Sequence, residues 1–266
     1  MAVYRSRGIV LRSIRYGEAD RILDIYTTDA GLVSAIVKGV RRTKSKFGAR
    51  LEPLSCVEFL AYQGRNLDTI TQAETLRSFK GIRENLARFE AAAKMVGYVR
   101  ALSSGAAADR RVFNLLYNAL DVLEKLEPSA GRDGAHEALE AAFGLKLAIL
   151  AGYAPQLDTC PVCEEEPGYS DPPSSNAPLR FAPDLGGVVC ASCSVASRDS
   201  FAIPPDALDG LRTLTNSSVR EVTQSKAVSI GEVLGRVVRS HIAAHAPSGQ
   251  FLTSSDMARF GRRAAR

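Results

Sequence analysis

Two cysteine pairs constrain this chain more than any other feature. Cys160-Pro-Val-Cys163 and Cys190-Ala-Ser-Cys193 share the spacing C-x2-C and are separated by 26 residues. Each pair sets two thiols on one tight turn, and four thiolates complete the tetrahedral shell that zinc prefers. A module over about residues 157–200 is therefore expected to close around one Zn2+ ion. The long insert, EEEPGYSDPPSSNAP from Glu164 to Pro178, has the composition of a loop. Four sulfurs leave no coordination position for water or substrate, so the ion is expected to be structural and not catalytic. Redox disulfides and an iron–sulfur cluster are the competing uses of the same pattern. The fifth cysteine, Cys56 in SCVEFLAY, reads as a small core residue.

The first eighty residues follow a different pattern. SRGIVLRSI, RILDIYTT, LVSAIVKGV, SCVEFLAYQ and LDTITQAETL are β-branched or alternating runs divided by the turn signals YGEAD, TDAG and QGRN. Five short strands without a helical period predict a small closed barrel, best matched by an OB-fold over residues 1–80. Closure also removes the exposed edges that a small β-domain cannot leave bare. From Gly81 the period becomes helical: 81–102, 110–126, 136–151, 205–215 and 229–246 are predicted helices, the last capped by Ser229 with Glu232. The fold class expected is α+β: an N-terminal barrel, then a helical domain over 81–266 carrying the zinc insertion.

Charge separates the same two parts. Residues 1–80 hold 14 Lys and Arg against 8 Asp and Glu, whereas the remainder is near balance. Lys38 to Arg50 alone places six basic side chains in thirteen positions. A polyanion-binding N-terminal domain on a near-neutral remainder fits this asymmetry. No apolar run is long enough to cross a bilayer. The start, MAVYRSRGIVLRS, lacks a cleavage site, so a cytoplasmic protein without a signal peptide is expected.

Catalytic patterns fail one by one. His241 and His245 share a helical face but lack a neighbouring glutamate and a third ligand, and read as a helix-surface pair. His136 stands without a motif around it. Neither a P-loop nor G-x-S-x-G occurs, and Asp20 and Asp24 are too few carboxylates for two-metal chemistry, reading instead as partners of nearby arginines. No enzyme is expected.

Gly17-Glu18-Ala19-Asp20-Arg21, Lys38-Gly39-Val40-Arg41-Arg42, Phe47-Gly48 and Leu51-Glu52-Pro53, in this order, resemble the N-terminal signature of the bacterial RecO recombination-mediator family. The similarity of plan extends through the helices and the late four-cysteine segment, and weakens from His241 onward. The resemblance implies a DNA-repair protein that binds single- and double-stranded DNA and anneals complementary strands. It further implies binding to the C-terminal tail of single-stranded DNA-binding protein, action with RecR, and indirect help in loading RecA. A nucleoid-associated cytoplasmic protein would follow, with zinc as an architectural staple. An OB-fold and zinc-ribbon protein that binds RNA or assists transcription is the alternative reading.

Within the basic stretch, Lys38, Arg41, Arg42, Lys44, Lys46 and Arg50 are expected to meet phosphates, giving weak sequence preference and steep salt dependence. Phe47 is a candidate to stack on a base, although the favoured reading is that charge alone grips the phosphates and Phe47 tucks into the barrel; Tyr16 and Tyr62 are weaker stacking candidates. Arg100, Arg110 and Arg111 are candidates to receive the acidic tail.

Overall fold

The computed structural model describes residues 2–42, 45, 47, 50–103, 105, 107–127, 134–167 and 179–246. Five strands come first: β1 (Val3–Tyr16), β2 (Asp20–Thr27), β3 (Gly31–Val37), β4 (Cys56–Tyr62) and β5 (Asp68–Arg77). They close in the order β1-β2-β3-β5-β4, with β3 and β5 parallel and the other pairs antiparallel. This is the OB-fold arrangement that the alternating runs predict. Alternation decides which side chains fill the barrel. Leu23 and Ile25 of β2 face Ala35 and Val37 of β3, and Val57, Phe59 and Ala61 of β4 face Ile70. A bulge between Val10 and Arg12 shifts the β1 register, giving the long first strand the extra bend that lets it pair with both β2 and β4. The β3–β4 connection supplies Val40, Phe47 and Leu51 to the same core.

The helices are α1 (Lys80–Arg83), α2 (Leu86–Ser103), α3 (Arg110–Lys125), α4 (Ala135–Leu150), α5 (Pro205–Asn216), α6 (Val219–Val222) and α7 (Gly231–His245). Two expectations need correction. The helix read from Gly81 is broken after α1, because Asn85 accepts the Arg88 amide through its side chain and starts α2 afresh. Ser229 does not cap α7: its hydroxyl donates to the Lys226 carbonyl within a 3-10 turn. The capping box lies earlier, where Ser218 and Glu221 exchange hydrogen bonds at the head of α6.

The chain divides into two compact units, one holding residues 1–92 and 103–124 and the other 93–102 and 125–261 as far as these are described. In the second, α4 is buried along most of its length. A methyl group at Gly144 would come within 2.8 Å of Val238, so glycine is what lets α7 approach α4. Glu140 lies in the same helix at 1% exposure, met by Lys94 at 2.8 Å, Arg239 at 3.2 Å and the Tyr98 hydroxyl. Two cations and a phenol offset the desolvation of that carboxylate. Three short strands, β6 (Arg180–Ala182), β7 (Gly187–Val189) and β8 (Phe201–Ala202), form a separate sheet in the order β7-β6-β8.

Candidate nucleic-acid interface and metal centre

The basic stretch leaves β3 beside the β1–β2 turn. Gly17 and Gly39 both take positive φ, at 55° and 67°, so each turn is made at a residue without a Cβ penalty. The Gly39 amide donates to the Asp20 carboxylate at 2.8 Å. The Arg41 amide donates to the Ala19 carbonyl at 2.9 Å, and the Arg41 guanidinium to the Glu18 carbonyl at 2.8 Å. Arg21 pairs with Glu52 at 3.1 Å. GEADR, KGVRR and LEP, distant in sequence, are thus one interlocked assembly. Asp20 serves the loop backbone, which corrects its expected role as an arginine partner; Asp24 accepts from the Ser34 hydroxyl at 2.9 Å.

Lys38, Arg41 and Arg42 are exposed on this assembly. The guanidinium of Arg41 donates to a carbonyl, which fixes its position without cancelling its charge. Arg50 is exposed further along, beside a cavity of about 400 Å³ lined also by Phe47, Thr71, Gln72, Ala73 and Glu74. Lys44 and Lys46 lie outside the described residues. Phe47 is 2% exposed and belongs to the barrel core, so its ring offers no face to a base. Tyr16 and Tyr62, by contrast, are 54% and 43% exposed.

The four cysteines converge. Their sulfurs all lie within 4.8 Å of one another, with Cys163 and Cys190 3.6 Å apart. Zinc–sulfur bonds of about 2.3 Å in a tetrahedron place sulfurs about 3.8 Å apart, so the donor set fits that ion. Both turns are built by backbone hydrogen bonds: Glu164 N–H to the Cys160 carbonyl at 2.9 Å, and Ser194 N–H to the Cys190 carbonyl at 3.0 Å. Burial disfavours the Cys160 thiolate, but the amides of Cys163, Cys190 and Val162 outweigh it and lower its thiol pKa. Burial and the neighbouring Cys163 and Cys160 sulfurs raise that of Cys190. The cluster packs on Ala182 and Val189 of the small sheet, as a structural site does. Cys56 is buried in the first unit, and burial pushes its thiol up to about 11, an inert setting.

The histidine pair is not a surface pair. His241 is 2% exposed and donates from Nε2 to the Tyr153 carbonyl at 2.8 Å, with its ring edge-on to Phe181. It ties α7 to the small sheet's β6. Its apolar surroundings were invisible in the sequence because Tyr153 and Phe181 are far away in the chain. Arg110 and Arg111 head α3 in the first unit, and Arg111 is held by Asp109 at 2.7 Å; Arg100 belongs to the second unit.

Among the described residues, no helix is long and apolar enough to cross a membrane. Residues 1–79 match the family description "Recombination protein O N terminal", and residues 83–250 match "Recombination protein O C terminal". The second match spans all of α7 and ends at residue 250, so residues 251–266 lie outside it. The DNA repair protein RecO of Rubrobacter xylanophilus is 58% identical over 96% of this chain and 96% of its own length. That of Alkaliphilus metalliredigens is 32% identical over 91% of this chain and 93% of its own length, and that of Symbiobacterium thermophilum 30% over 97% and 100%. With both halves matched and relatives similar end to end, the chain belongs to the RecO family of DNA repair proteins.

Proposed function

We propose that the protein is a non-enzymatic recombination mediator. It binds single- and double-stranded DNA, anneals complementary strands and, with RecR, promotes RecA loading onto strands coated by single-stranded DNA-binding protein. The observation that carries this reading is the exposed trio Lys38, Arg41 and Arg42, held at one end of an OB barrel by the Asp20, Ala19 and Glu18 hydrogen bonds. Lys44, Lys46 and Arg50 extend the same basic stretch. Annealing requires that strands be gathered without their base edges being sequestered, and a backbone-binding basic face meets that requirement. Zn2+ is the ion proposed for Cys160, Cys163, Cys190 and Cys193, where it would fix the fold of the module and leave no open coordination position for chemistry.

The test is annealing of complementary strands pre-coated with single-stranded DNA-binding protein, with and without RecR. Acceleration by this protein supports the mediator reading. Absence of acceleration, with RNA bound in preference to DNA, assigns it to the RNA-binding alternative. Labelled DNA incubated with magnesium or manganese should remain uncut.

A further inference from the structure

We propose that the outside of the barrel carries a base-stacking track for single-stranded nucleic acid, with Tyr16 and Tyr62 as its aromatic platforms. The inference rests on the DNA-binding reading and says where the bases go once the basic stretch holds the phosphates.

The track follows from the register. Ile14 of β1 sits opposite Ile22 of β2, Ile22 opposite Ile36 of β3, Ile36 opposite Thr69 of β5, and Thr69 opposite Tyr62 of β4. Cross-strand partners share a face of the sheet, and the inward face is occupied by Leu23, Ala35, Val37, Ala61 and Ile70. These five residues therefore form one row on the outside, running perpendicular to the strands. Tyr16, two residues beyond Ile14 on the same face, extends it. None of the six is buried, and both tyrosines are exposed.

The two ends of the row coincide with two loops. Tyr16 is followed directly by the β1–β2 turn, and Tyr62 by the β4–β5 loop of residues 63–67. OB-folds take oligonucleotides across the outer face between these two loops. The far end of that face is closed here: Ile9 and Tyr26, opposite each other, are buried, and the Tyr26 hydroxyl donates to the Asp109 carbonyl at 3.1 Å. The β4–β5 loop is set in shape. The Gly64 amide donates to Asp68 at 2.9 Å, and a methyl group at Gly64 would meet the Leu67 carbonyl at 1.9 Å. That loop presents exposed Arg65 beside Tyr62, while exposed Lys38, Arg41 and Arg42 stand beside the turn that follows Tyr16.

Charge argues for a polyanion as the occupant. Cations flank both ends, in a stretch of eighty residues that carries 14 Lys and Arg against 8 Asp and Glu. The bonds of Asp20 to Gly39, Asp24 to Ser34 and Asp68 to Gly64 and Tyr4 fix those carboxylates in place without cancelling their charge, and exposed Glu18 adds to the unfavourable side. The strip, apolar except at Thr69, is one residue wide and ends in aromatic rings. That shape suits a strand of bases laid across it and gives little area to a folded protein partner.

The chain contains no tryptophan, so Tyr16→Trp and Tyr62→Trp each introduce a single indole that can be excited apart from the remaining tyrosines. Oligo(dT) should quench both. Tyr16→Ala and Tyr62→Ala should each weaken oligo(dT) binding about 10-fold, while changing binding of an abasic oligomer of equal length by less than about twofold. Tyr16→Phe and Tyr62→Phe should restore oligo(dT) affinity, and thermal unfolding should show each variant folded. Unchanged oligo(dT) affinity in the double alanine variant overturns the track and leaves phosphate binding standing. So does an equal loss on both oligomers, or retained DNA affinity with loss of RecR binding. Failure of the wild-type protein to bind oligo(dT) overturns the DNA-binding reading itself.

Discussion

The Asp20 carboxylate accepts the Gly39 amide at 2.8 Å, fastening the start of the basic β3–β4 connection to the end of the β1–β2 turn. With the Arg41 bonds to Glu18 and Ala19, it positions the start of that connection, where Lys38, Arg41 and Arg42 stand. Three sequence blocks that identify the family are, physically, the parts of one clasp.

Replacing Asp20 by Ala separates position from charge. Removing an acid beside Lys38, Arg41 and Arg42 should tighten DNA binding if charge alone matters. Losing the acceptor for Gly39 should instead destabilise the fold by about 1–3 kcal/mol and loosen the loop. We expect weaker binding to single strands, measured by fluorescence anisotropy, together with a lower denaturation midpoint. Tighter binding at unchanged stability would show that the clasp does not position the cations.

Replacing Arg41, Arg42, Lys44 and Lys46 together by Ala should flatten the dependence of log affinity on log salt by about 3 units on single strands, since each neutralised phosphate contributes about 0.7. The measurement is a salt titration with the folded variant. A slope equal to that of the wild type would place the phosphate contacts elsewhere.

Phe47 contributes to stability and not to base stacking, because its ring is buried with Val37, Val40 and Leu51. Phe47→Ala should cost about 3–5 kcal/mol, by cavity formation in the barrel. Phe47→Leu should cost less than about 1.5 kcal/mol and leave oligo(dT) affinity unchanged. Lost affinity in a stable Phe47→Leu variant would return the ring to the interface.

The barrel was legible because alternation has a period that survives in the sequence: Leu23 and Ile25, or Val57 and Phe59, announce an inward face. The four cysteines were legible because C-x2-C spacing is local to each turn. What resisted was long-range partnering. Nothing near Asp20 marks it as the acceptor for an amide 19 residues away, and nothing near His241 marks it as a partner of Tyr153. Phe47 was ambiguous for the same reason: six basic residues surround it in sequence, whereas its spatial neighbours come from other strands. The outer row from Ile14 to Tyr62 needs register, which alternation alone does not fix between non-consecutive strands such as β3 and β5.

Chelation should act on the small module. We expect the purified protein to carry one zinc per chain, and Cys163→Ser or Cys190→Ser to lose it, with protease cleavage appearing within residues 157–200. Metal analysis and limited proteolysis read the two effects separately. A protein that carries no zinc, and whose module resists protease equally with and without chelator, would overturn a zinc-dependent fold.

His241 gives stability a pH dependence with a defined sign. Burial lowers its pKa from 6.5, the Tyr153 carbonyl opposes the shift, and neighbouring His245 adds to it. The ring bonds Tyr153 through Nε2, while Nδ1 is buried with no hydrogen-bond partner among the described residues, so protonating Nδ1 would bury a charge without an acceptor. The unfolded chain then binds the proton more readily than the folded one. Stability is present above the unfolded value near 6.5 and is lost as pH falls through the window below it, with a slope of at most about 1.4 kcal/mol per pH unit. His241→Phe keeps an aromatic ring against Phe181 and removes the titrating group. Its stability should fall less than that of the wild type between pH 7 and pH 5 in parallel urea titrations. Acid protonation of the cysteines affects both proteins alike and cancels in the comparison. Identical pH profiles for the two would show that His241 takes no part in the acid sensitivity of the fold.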